Sequence, residues 1–220
     1  MKKTSWLKII SLCVGAIFVA LFLSIFVFVY SHEYYPVIGQ SMFPTINRNA
    51  DEENGVYVDT SNKGGFQDVV VAKSPTDSEK TVVKRLLGMP GDKLAFIEVD
   101  GVVELYRIAS GTTEITKVSE PYIKNLEGNT HHKYTLENVN SNLKTFEFVR
   151  FNDTIQKFIV VGENEIFLMG DNRGNSTDST AYGPVPQSNI VGKVDYLVTN
   201  SYIQVFQILF KIITFKGSNI

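Results

Sequence analysis

One cysteine, Cys13, occurs in 220 residues, so no disulfide closes within the chain and thiolate-rich zinc sites are excluded. It lies in an apolar run, where a thiol behaves as a small hydrophobe. An excess of either charge is missing as well. The 21 Lys and Arg stand against 23 Asp and Glu, a formal net charge of -2 that leaves no broad basic surface and makes nucleic acid an unexpected partner. Histidine is scarce, with three in all, which narrows the choice of a general base. No repeat of fixed period occurs. Apolar residues are abundant instead: at 44% they can build one substantial domain, or a domain carrying a smaller insert, and they exclude a disordered tail.

From Ile9 to Tyr30 the chain runs 22 residues without a charge. At about 1.5 Å per residue this spans about 33 Å, enough for a hydrocarbon core of about 30 Å. Lys2, Lys3 and Lys8 precede the run, and the acid and tyrosines of "SHEYYP" follow it. The positive-inside rule then puts residues 1–8 in the cytoplasm, 9–30 across the cell membrane as a single pass, and the rest outside. A cleaved secretion signal also begins basic and turns apolar. Its apolar stretch is usually about 7–15 residues and ends in small side chains, so "FVFVYSHEYY" favours a retained anchor.

Beyond the anchor the pattern is β. "GVYVDT", "DVVVAK", "KTVVKRLLG", "KLAFIEV", "VVELYRI", "FEFVRF", "KFIVVG", "EIFLMG" and "VGKVDYLVT" are short, rich in Val, Ile and Phe, and separated by turn residues. An all-β domain of folded-over antiparallel sheets is expected, with Asp100-Gly101 as a hairpin turn. Residues 97–160 include the polar "GNTHHKYTLENVNSNLKT" and read as a small β cap insert within a domain made of 31–96 and 161–200. The segment 201–220 is apolar but broken by Gln204, Gln207 and Lys211; it either packs on the domain or lies in the membrane surface.

"VIGQSMFPTI" sets Ser41 in a turn, and a serine hydroxyl is a poor nucleophile until a base takes its proton. His32 abuts the membrane and His131-His132 sit in the polar tract, so neither suits that role. The flanks also lack the G-x-S-x-G elbow. Lysine is the other choice. In "TVVKRLLGMPGD" strand alternation puts Val82, Lys84 and Leu86 on one face and Val83, Arg85 and Leu87 on the other, so one cation lies among aliphatics. Burial lowers a lysine from about 10.4 by as much as 3–5 units, enough to leave it neutral near pH 7. The alternative is an edge-strand cation reaching out to water. "LMGDNRGNSTDSTAYGPV" is denser in Gly, Asp and hydroxyl residues than a turn requires, and it lacks the spacing and closing glutamate of a calcium loop.

"GQSMFPT", "DVVVAK", "VVKRLLGMPGD" and "GDNRGNSTDSTAYGPV", in this order after an N-terminal anchor, resemble the boxes of the type I signal peptidases. The resemblance implies a membrane-anchored Ser/Lys endopeptidase of β fold that cleaves signal peptides after small residues (A-x-A-like), without metal or organic cofactor. Ser41 would be the nucleophile, Lys84 the general base, Ser176 the hydroxyl that orients the amine, and Asp178 an ion-paired residue holding the loop. The backbone N–H of Ser41 would face the oxyanion. Substrate would lie as an added strand near Val37 and Ile38, with Val83 as a pocket wall by analogy. The partners are preprotein signal peptides and the lipid bilayer, and the chain is expected to be a monomer. Three positions depart from the pattern. Gly39 lacks the hydroxyl that some members use as a second oxyanion donor. Thr180 replaces the usual Arg, which leaves Arg173 as the nearest candidate partner for Asp178. Gln67 replaces the usual Gly before Asp68. Two other functions remain open: a self-cleaving Ser/Lys peptidase of the repressor-fused kind, and a related assembly factor without activity.

Overall fold

The first helix, α1 (Lys3–Ser31), follows directly from the charge-free run. In this computed structural model, residues 3–47, 54–77, 79–100, 102–123 and 145–198 are described. Gly101, His131, His132 and the segment 201–220 lie outside them. Among the described residues α1 is the one helix long and apolar enough to cross a membrane, with Trp6–Ser31 at a mean hydropathy of 3.0.

The helix passes without a linker into β1 (His32–Val37), a segment whose tyrosines and Pro36 gave no clear strand signal. Pro36 is tolerated because β1 is the edge of its sheet, where no partner needs its missing N–H. The joint is built from side chains. Ser31 Oγ donates to Val27 O at 2.8 Å, His32 Nε2 lies 3.3 Å from Asp195 Oδ2, and the His32 ring stacks on Phe28 with centroids 4.3 Å apart.

The remaining strands are β2 (Asn54–Asp59), β3 (Val69–Lys73), β4 (Thr81–Gly88), β5 (Lys93–Val99), β6 (Val102–Ile108), β7 (Ile115–Lys117), β8 (Phe146–Phe151), β9 (Thr154–Val160), β10 (Glu165–Met169), β11 (Val185–Pro186) and β12 (Ile190–Val198). A short helical turn, α2 (Ser179–Tyr182), precedes β11. They form two antiparallel sheets: seven strands in the order β1-β2-β12-β3-β4-β10-β11, and five in the order β7-β6-β5-β9-β8. The five-stranded sheet draws on Lys93–Val160, so the stretch 97–160 expected as an insert falls inside it. Val99 pairs with Val102 across the Asp100 turn, and Asn152 and Asp153, both at positive φ, close the tight turn between β8 and β9.

Apolar side chains on facing strands join the sheets. Leu87, Phe167 and Met169 of the larger sheet pack with Leu94, Phe96, Leu105 and Ile159 of the smaller one. Two further clusters line the larger sheet: Met42, Ile46, Val56, Val58, Val69, Val71 and Val194, and Val70, Ala72, Leu86, Ile166, Leu168 and Val185. The alternation expected for β4 is present, with Val82 and Leu86 against the second cluster and Val83 against the first.

The registers leave one stretch of strand open. β3 pairs with β4 from Arg85 to Thr81, whereas β10 pairs only with Gly88, Leu86 and Arg85. Thr81–Lys84 therefore has no described neighbour on its β10 side, and an extended chain can add there.

Candidate active site

The turn that carries Ser41 begins at Gly39, whose φ of 94 suits a residue without Cβ. It closes through Phe43 N to Gln40 O (3.1 Å) and Ile46 N to Met42 O (2.9 Å), and Met42 and Ile46 anchor it in the core. Asparagines hold it from both sides. Asn47 Nδ2 donates to Val37 O (3.2 Å) and Gly39 O (2.6 Å) and is itself fixed by Asn54 Nδ2. Asn172 donates through its backbone N–H to Ser41 O and through Nδ2 to Gln40 O, both at 3.0 Å. The carbonyls of Val37, Gly39, Gln40 and Ser41 that could otherwise swing toward the hydroxyl are thus committed elsewhere.

Lys84 Nζ lies 2.7 Å from Ser41 Oγ and donates to it; with the amine neutral, the hydroxyl can donate along the same line. Lys84 is 4% exposed. Burial pulls its pKa below the ordinary lysine value, and the charges of Asp178 and Asp171 act against that. Both carboxylates are tied up. Asp171 accepts from Arg85 Nε (2.9 Å), Arg85 Nη2 (2.6 Å) and Thr45 Oγ1 (2.5 Å). Asp178 accepts from Gly170 N (2.9 Å), Thr180 N (3.1 Å) and Thr180 Oγ1 (2.7 Å). Neither places an oxygen on the amine, so desolvation dominates.

Asp178 therefore has different partners from those expected. Arg173 turns to Glu120 and to Gly170 O, and Asp178 caps α2 with the Thr180 hydroxyl completing its shell. The substitution that seemed to strand a charge supplies a donor. Thr180→Val keeps the volume and removes that donor from a fully buried carboxylate. It should cost about 2 kcal/mol, read as a Tm lower by roughly 4–8 °C in calorimetry.

The Ser176 hydroxyl also sits differently from expectation. It is buried with no hydrogen-bond partner among the described residues, so it makes no bond to the lysine amine. It stands over Gly170, where an added Cβ would come within 2.3 Å of Ser176 Oγ and 2.4 Å of Ser41 O. Gly170 is thus the floor on which nucleophile turn and loop meet. Gly170→Ala must push the Ser41 backbone away, and since a displacement near 1 Å can cost about 10²-fold, peptide cleavage should fall by at least that factor while the cores remain intact.

Of the remaining expected residues, Ile38 is 95% exposed beside the nucleophile, and Val37 and Val83 are partly buried against the core cluster that contains Met42 and Val69. Gln67 has φ 70, where any residue other than glycine is strained by about 1–2 kcal/mol. Its side chain offsets this by donating to Ser119 O at 2.6 Å, and its carbonyl accepts from Arg85 Nη1 at 2.8 Å. Sequence reasoning passed over Asn47, Thr45, Asp171, Asn172 and Glu120. All but Asn47 and Glu120 lie inside the boxes, where their density was the available signal.

The family described as "Signal peptidase, peptidase S26" matches residues 6–199. Similar proteins include signal peptidase I of Rickettsia akari (strain Hartford), 34% identical over 141 residues, or 59% of this chain and 50% of that protein. Signal peptidase I of Buchnera aphidicola subsp. Baizongia pistaciae (strain Bp) is 27% identical over 178 residues, 64% and 56% of the two chains. A solved signal peptidase I from Enterococcus faecalis V583 shares 25% identity over 60% of this chain and 96% of that one, with a TM-score of 0.38. The chain spans about half the length of the curated relatives it matches, 50% to 56%. With a match that runs from α1 through β12 and contains both residues of the close serine–lysine contact, the chain belongs to the signal peptidase (peptidase S26) family.

Proposed function

We propose that this protein is a membrane-anchored serine endopeptidase that removes signal peptides from translocated preproteins after small residues. The observation that carries this reading is the contact of 2.7 Å between Ser41 Oγ and the amine of a lysine that is 4% exposed. Neutral Lys84 takes the Ser41 proton as Oγ attacks the scissile carbonyl. The oxyanion faces the Ser41 N–H; Gly39 offers no side-chain donor. The C–N bond then breaks and the Lys84 ammonium protonates the leaving amine. The freed amine next takes a proton from water, whose oxygen attacks the acyl-enzyme, and serine is restored.

The open stretch Thr81–Lys84, the partly buried Val37 and the exposed Ile38 support a substrate bound as an added strand, with Val83 behind it. Residues 9–30 anchor the chain, residues 1–8 are cytoplasmic, and the catalytic part, 31–96 with 161–200, lies outside with 97–160 as its cap. A substrate in the same bilayer meets the site at raised effective concentration, so shallow pockets suffice.

Full-length protein in detergent micelles, incubated with a peptide whose signal ends in A-x-A, should cut after the last alanine by mass spectrometry. Folded protein that leaves this peptide intact would make the chain an inactive relative.

A further inference from the structure

After β7 the chain runs Ser119-Glu120-Pro121-Tyr122-Ile123, and its last three residues form one 3-10 turn. This segment reaches from the small sheet to the arginines of the site. The Glu120 carboxylate pairs with Arg173 and accepts from Tyr122 Oη at 3.0 Å. The Tyr122 ring lies 3.9 Å from the guanidinium carbon of Arg85. Ser119 O receives the Gln67 amide, and Gln67 O receives Arg85 Nη1, so the segment meets Arg85 directly through the Tyr122 ring and indirectly through Gln67. Flanking Val118 and Ile123 are buried, which fixes the segment at each end.

We propose that Tyr122, held by Glu120, is a positioning residue for Lys84: its ring face fixes the Arg85–Asp171 ion pair beside the dyad and shields it from water. The proposal rests on Lys84 serving as the base. Charges facing Lys84 come from the loop after β10, as Asp171 and Asp178; Arg85, on the opposite face of β4, acts on it through Asp171. Arg85 in turn faces Asp171, the Tyr122 ring and Gln67 O, and Arg173 closes the far side against Glu120. Burial pushes the Tyr122 phenol upward, so it remains a neutral donor to Glu120 while Lys84 titrates.

Two consequences of removing the ring have the same sign. Arg85, no longer held by the ring face, pairs less closely with Asp171, so Asp171 is less fully neutralised and draws more strongly on a proton at Lys84. Water also comes nearer the amine, which relieves part of its desolvation. Both favour the ammonium form, so the base is freed only at higher pH.

The test is the pH profile of kcat/KM for A-x-A peptide cleavage by full-length protein, alongside a direct titration of Lys84 by NMR with 13Cε-labelled lysine. Tyr122→Leu should move the acid limb up by about one pH unit, a loss of roughly tenfold below the limb that is recovered at alkaline pH. Tyr122→Phe, which keeps the ring face, should stay near the parent midpoint. Should Tyr122→Leu fail to fold, Tyr122→Met fills a similar volume without a ring face and is read in the same way. A limb and Lys84 titration unmoved in the ring-free variant overturn the proposal, whatever happens to Tm. Parent protein that cleaves nothing would instead sink the peptidase reading, and the NMR midpoints would still decide the role of Tyr122.

Discussion

Ser41→Ala protein should fold and leave a preprotein uncut, with turnover lower by a factor on the order of 10⁶. The size of the effect follows from position: Oγ is the one atom of the turn within reach of the Lys84 amine, and an alanine methyl offers no lone pair for attack. The fold should persist because the substitution spares everything that shapes the turn. The Ser41 carbonyl still receives Asn172 N, the Gly39 and Val37 carbonyls still receive Asn47, and Met42 and Ile46 remain in their core. The one interaction lost is the hydrogen bond to Lys84, about 1 kcal/mol, so Tm should move by only about 2–4 °C. Cleavage by electrophoresis and Tm by calorimetry, on one preparation, separate the two effects. Normal processing by this variant would remove Ser41 from the mechanism.

The parts of this molecule that could be read in advance depend on local pattern. Period-two alternation identified β4 and the faces of Lys84 and Leu86 because every residue from Lys84 to Gly88 is buried, so the pattern was not blurred by solvent. The charge-free run identified α1 for a similar reason: nothing in it competes with helix. β1 was hidden because its pairing with β2 is long-range and its residues, "HEYYPV", alternate poorly. The partners of the acids were hidden more deeply. That Arg173 goes to Glu120 depends on how the segment at 119–123 crosses to the other sheet, and no spacing within a box encodes that, whereas Asp178 takes Thr180 as a local cap two residues on. Gln67 illustrates the same limit. In sequence it is a glycine position with the wrong residue, and only the contact with Ser119 shows what relieves its strained backbone.

Lys84→Arg should be as inactive as Ser41→Ala, though it keeps the charge. A guanidinium does not lose its proton in water, so it can donate to Ser41 Oγ but not accept from it. In the parent protein the base exists only as the neutral amine, so kcat/KM should rise with pH through the Lys84 titration, with its midpoint below the ordinary lysine value of 10.5. Stability carries the same signature with a definite sign. A lysine whose native pKa is lowered binds its proton less tightly folded than unfolded, so between the native value and 10.5 the unfolded chain holds the extra proton and stability climbs with pH. Below the native value both states are protonated and the full penalty of burying the ammonium is present. Lys84→Met removes the group, so its unfolding free energy should lose that rise while cleavage is abolished, as denaturant titrations across the pH range would show. If Lys84→Arg retained turnover, or if the parent rate were flat across the Lys84 titration, proton transfer from Ser41 would need another acceptor, and no described side chain other than Lys84 is within hydrogen-bond reach of Ser41 Oγ.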